Sequence, residues 1–87
     1  MNINVERIYR FPENGSMKAF VDLSIDKVLL IKGIRIIEGQ KGLFVSMPQE
    51  QGKDKRWYDT IRCLDVEFKK RLDEEIMSTY NKEIVSE

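Results

Sequence analysis

The apolar residues of this chain change their spacing once, and that change confines the fold to one class. Met17, Ala19, Val21, Leu23 and Ile25 alternate with Lys18, Phe20, Asp22 and Ser24. A period of two gives a strand with one buried and one mostly wet face. Later, Phe68, Leu72, Ile76 and Tyr80 recur every four residues, with Met77 and Ile84 beside them. That spacing puts a single stripe on a helix of roughly four turns. Asp65 is placed to cap this helix, and Glu67 suits its first turn. Strands first and one helix last predict an α+β fold: a small antiparallel β-sheet of four to five strands with a C-terminal α-helix.

The remaining strands follow from punctuation. Ile3 to Phe11 is rich in β-branched and aromatic residues, and Pro12-Glu13-Asn14-Gly15-Ser16 ends it. Asn14-Gly15 is a hairpin signal because both residues tolerate positive φ. Asp26-Lys27 reads as a tight turn. Val28 to Ile37 carries apolar groups on both faces, and Gly33 within it marks a bulge. Gly39-Gln40-Lys41-Gly42 is a turn, and Leu43 to Met47 is a further strand closed by Pro48. Short connections favour a meander. Gln49 to Arg56 is polar, contains Gly52 and reads as an exposed loop, and Trp57 to Leu64 as a short strand and a turn. One helix covers only one face of a sheet, whereas Val28 to Ile37 asks for cover on both or for pairing at an edge. A homodimer is the expected solution. The 87 residues are expected to form one domain, 1–87.

The composition excludes much chemistry. The chain has no histidine and one cysteine, Cys63. The commonest general base and metal ligand is therefore missing, and no Ser–His or Cys–His pair can form within the chain. Cys63 reads as a small core filler. Asp73, Glu74 and Glu75 are consecutive, so on a helix they point about 100° apart and do not converge on a metal. No catalysis, cofactor or metal is expected. No apolar run approaches the roughly 18 residues that span a bilayer. The N-terminal residues lack a basic stretch followed by an apolar one, so a cytoplasmic protein with no membrane association is expected.

Formal net charge is zero, unlike the basic footprint of most nucleic-acid binders. Charge is nonetheless uneven. Lys53, Lys55 and Arg56 precede Trp57 and Tyr58, Arg62 follows, and Lys69, Lys70 and Arg71 open the helix. Lysine and arginine neutralise phosphates, and exposed aromatics stack on bases. Solvated surface charge is the default reading of such a set, and Trp57 is more readily expected in a core than as a platform. Positive charge near a helix N-terminus is slightly unfavourable, so Lys69 to Arg71 carry a small cost without an evident local gain.

Ile34-Arg35-Ile36-Ile37-Glu38-Gly39-Gln40-Lys41-Gly42-Leu43-Phe44-Val45-Ser46-Met47-Pro48 closely resembles the hallmark segment of the stage V sporulation protein G family. Ile3 to Ile8 resembles that family's first strand, and Gly15 to Ala19 its first hairpin. Trp57-Tyr58-Asp59 and the C-terminal helix also fit. The resemblance implies a homodimeric bacterial cytoplasmic regulator that binds DNA, and in some members RNA, and is linked to septation and sporulation. It also implies nucleic-acid contact through a basic pair after Met-Pro and through the start of the helix. This chain has Glu50 and Gln51 at the positions of the pair, and Lys53, Lys55 and Arg56 shortly after. Arg62-Cys63 replaces a His-Pro, and Asp65-Val66-Glu67 replaces a Ser/Thr-rich lead into the helix. Two readings result. In the first, Lys53, Lys55, Arg56, Arg62, Lys69, Lys70 and Arg71 contact DNA or RNA. In the second, the chain is a protein-interaction module that works through a sheet edge or the acidic face around Asp73, Glu74 and Glu75.

Overall fold

The computed structural model describes residues 1–11 and 15–85, with side chains 83–85 left aside. Strands β1 (Ile3–Arg10), β2 (Met17–Ile25), β3 (Leu29–Gly39) and β4 (Gly42–Ser46) form an antiparallel sheet in the order β1-β2-β3-β4. This is the expected meander. The helix α1 (Val66–Val85) follows it. Among the described residues, no helix is long and apolar enough to cross a membrane.

The turns form for the anticipated reasons. Asp26 and Lys27 both have positive φ (55° and 58°), and the Val28 N–H donates to the Ile25 carbonyl. These are the left-handed residues of a hairpin turn whose twist matches its strands. Gln40 and Lys41 link Gly39 to Gly42, which face each other in register. The Asn14-Gly15 signal falls partly outside the described residues. Gly33 sits at φ +87°, where the β2–β3 register slips between Val21 and Leu23. The extra residue of this bulge lets Ile31 and Ile34 point the same way, and both are buried.

One face of the sheet holds the core. Ala19, Val21, Leu23, Ile34 and Ile36 are fully buried there, joined by Leu72 and Ile76 from α1. Tyr80 completes the stripe, Phe68 and Met77 pack partly against it, and Cys63 fills space beside it. The Ile84 side chain lies outside the described set. Asp65 Oδ1 accepts from the Glu67 N–H at 3.2 Å, so the expected cap forms. Ser24 is the one buried polar residue among those described, and its hydroxyl donates to Glu6 at 2.5 Å. Lys27 also donates to Glu6, and these two bonds hold its carboxyl below the ordinary value.

The stretch after Pro48 departs from the expectation of a plain loop. Gln49–Gln51 is a strand, β5, which pairs antiparallel with β6 (Trp57–Asp59) as a separate two-stranded sheet. Gln49 donates to Asp59, and Thr60 donates to the Pro48 carbonyl through both backbone and hydroxyl, which locks the base of this hairpin.

Candidate nucleic-acid interface

Lys53, Lys55 and Arg56 lie together at the tip of the β5–β6 hairpin, all exposed. The tip is braced from within. Asp54 accepts from the Tyr58 hydroxyl at 2.5 Å and from the Arg56 N–H at 3.0 Å. The Gly52 N–H donates to the Arg56 carbonyl, and the Lys55 N–H to that of Gly52. Lys55 adopts a φ of 68°, a left-handed conformation that an ordinary side chain enters only when its neighbours hold it there. At Gly52 a Cβ would stand 2.9 Å from both Asp54 and the Tyr58 ring, so glycine is required for close approach rather than for its φ. The Tyr58 hydroxyl and the Arg56 N–H lower the Asp54 pKa, and the same carboxylate raises that of Tyr58. Each Asp54 oxygen thus accepts one bond within the frame of the tip. Among the described residues no ion pair engages Lys53, Lys55 or Arg56.

The other anticipated cations are placed differently. Arg62 follows β6 and lies 3.7 Å from Asp59, with most of its side chain in solvent. Lys69 pairs with Asp73 one turn along the helix at 2.8 Å. Arg71 donates to the Met1 carbonyl at 2.9 Å and lies over the Phe68 ring. These contacts supply local gains that the sequence did not reveal for Lys69 and Arg71. Lys70 is exposed. The seven cations therefore do not form one cluster. Three share the hairpin tip and Arg62 follows its base. Arg71 is tied to the start of β1, the sheet edge opposite β4.

Trp57 is not a core residue. It is 57% exposed, with the Arg35 guanidinium 5.9 Å from its ring centroid. Arg35 stands on the sheet face away from α1, in a row that runs Tyr9, Phe20, Arg35, Ser46 across four strands. The alternation in β2 predicted a wet face, but not the aromatic and basic row that it carries. The available signal was Phe20, an aromatic at a wet position of an alternating strand. Glu74 and Glu75 are exposed, and the described residues hold no group of three potential metal ligands.

Residues 1–82 match the family model of SpoVG. A relative from Archaeoglobus fulgidus named "Putative septation protein SpoVG" is 34% identical over 77 residues, 88% of this chain and 91% of the relative. Proteins of the same name from Lachnospira eligens and Clostridium perfringens are each 32% identical over 82 residues. Those alignments cover 94% of this chain and 93% and 91% of the two relatives.

Proposed function

The chain belongs to the SpoVG family, and from that premise we propose that it is a homodimeric, non-catalytic regulator that binds nucleic acid in the cytoplasm. The septation role in its relatives' name is taken over with this reading. The observation that carries it is the braced hairpin tip. Lys53, Lys55 and Arg56 are held on an ordered backbone, exposed and without ion pairs among the described residues, while the nearest carboxylate, Asp54, is occupied internally. Three cations carried on an ordered backbone suit a phosphate backbone, where contacts set register and affinity. Arg62 and Lys70 extend the charge, and Lys69 and Arg71 contribute only by giving up a present partner. In a dimer the tip would occur twice, and two linked contacts raise the effective affinity of each. Val28, Leu29 and Leu30, all exposed at the β2–β3 hairpin, supply apolar surface that a second copy would cover.

Binding of a fluorescent duplex across a salt series tests the reading. The logarithm of affinity should fall with log salt by about 0.9 per neutralised phosphate. Lys55→Ala with Arg56→Ala should weaken all sequences alike and flatten that slope by about two. Unchanged affinity would remove the tip from the interface. The exposed Val28-Leu29-Leu30 surface also favours a second reading, docking of a protein partner. A partner retained after nuclease treatment, together with no duplex binding at low salt, would select it.

A further inference from the structure

The face of the sheet away from the helix is open. A shallow cleft of about 300 Å³ is lined by Arg7, Tyr9, Phe20, Asp22, Lys32 and Gly33. Three strands build it. Tyr9 faces Phe20 and Arg7 faces Asp22 across β1–β2, and the Gly33 bulge lies opposite Asp22 on β3. Tyr9 is 52% exposed and Phe20 39%. Their rings are nonetheless set in place, because Phe11 meets Tyr9 edge-on at 5.3 Å and Phe20 at 4.9 Å. Gly33 contributes no side chain, and a Cβ there would meet nothing within 4 Å, so the cleft floor stays open. Arg7 and Lys32 are exposed at the rim. Among the described residues neither is ion-paired, nor is Asp22.

We infer that this cleft holds an unstacked base of a single-stranded nucleic acid, with guanine preferred. The inference rests on the reading that the chain binds nucleic acid and adds a surface separate from the hairpin tip. The chemistry divides among the residues. Tyr9 and Phe20 offer ring faces, on which any base stacks. Arg7 and Lys32 attract the adjoining phosphates, and Arg35 beside Trp57 continues the basic and aromatic surface along the same face. Arg7, Lys32 and Arg35 outnumber Asp22, and the Glu6 carboxylate on this face is already bonded to Ser24 and Lys27, so the face is complementary to a polyanion. Asp22 supplies discrimination. A carboxylate accepts hydrogen bonds only, and guanine alone among the bases presents two adjacent N–H donors on one edge. A duplex cannot use the site, because its bases are stacked and paired. The two surfaces would thus divide the work, the tip reading backbone and the cleft reading an unpaired base.

Anisotropy with three probes tests this: a single-stranded thymidine dodecamer, the same strand with one central guanine, and a duplex. The guanine strand should bind about tenfold more tightly than the thymidine strand, the scale of a bidentate base contact. Asp22→Asn should abolish that ratio, and Phe20→Leu should weaken both single strands, each leaving duplex affinity unchanged. Lys55→Ala with Arg56→Ala should weaken the duplex and preserve the guanine ratio. Duplex binding with no single-strand binding overturns the cleft and leaves the proposed function standing, whereas no binding to any probe removes both. Single-strand affinity that ignores both face variants overturns the cleft. So does a changed sedimentation mass in either variant, which would make the face a contact between copies. Displacement of the guanine strand by an equimolar amount of guanosine monophosphate would reassign the cleft to a free nucleotide and overturn the strand reading.

Discussion

Val21 and Asp22 are neighbours in the chain and opposites in the structure. Val21 faces the helix and is fully buried among Leu23, Ile36 and Ile76, while Asp22 points to the other side of the same sheet, into an open cleft with Arg7 and Phe20. On the covered face, side-chain volume and the absence of polar atoms decide what is tolerated. On the open face, volume matters little, and ring planes and charges stand exposed without contributing much to stability. A two-residue period thus separates a structural surface from a chemical one, with the backbone between them as the shared wall.

Substitutions on the two faces should differ accordingly. Leu72→Ala removes a fully buried part of the helical stripe and should cost about 2–5 kcal/mol in urea unfolding. Val21→Thr keeps the shape but places a hydroxyl in the core, at an expected cost of about 1–3 kcal/mol. Asp65→Ala releases the cap that holds the start of α1 over this face, at a cost of about 1 kcal/mol. Asp22→Thr, one residue from Val21, should change stability by less than about 0.5 kcal/mol. If Asp22→Thr proved as costly as Val21→Thr, the distinction between the faces would fail. The smallest expected effect lies at the hairpin. Asp54 has a lowered pKa, so its support is present at neutral pH and is lost as pH falls below about 4. Tyr58 has a raised pKa, so its bond persists below about pH 10 and is lost as pH rises beyond it. Trp57 fluorescence should report both transitions with no change in the urea midpoint extrapolated to neutral pH.

Much of the covered face was legible because its signals are local. The alternation in β2, the four-residue stripe in α1, the Asp65 cap, the Gly33 bulge and the Asp26-Lys27 turn each lie within a few residues of sequence. The β5–β6 hairpin was not legible. Gln49-Glu50-Gln51 has no strand pattern, and its pairing depends on Gln49 meeting Asp59 ten residues away. Lys53, Lys55 and Arg56 could be named from composition, but not their placement on a braced tip. The partners of Lys69 and Arg71 depend respectively on helix geometry and on a contact seventy residues distant. The cleft was not legible either, since its six residues come from three strands and meet only through register.

The meander order has a kinetic consequence. Every strand of the main sheet hydrogen-bonds to its neighbour in sequence, so the sheet can zip from hairpin to hairpin with short loop closures at each step. The return of α1 to β1, marked by Arg10 bonding to the Tyr80 carbonyl at 2.7 Å and Arg71 to that of Met1, joins residues 70 apart in the chain and needs the sheet in place first. Helix docking is then the late event of folding. Substitutions at the α1–β1 seam should speed unfolding while leaving the refolding rate almost untouched.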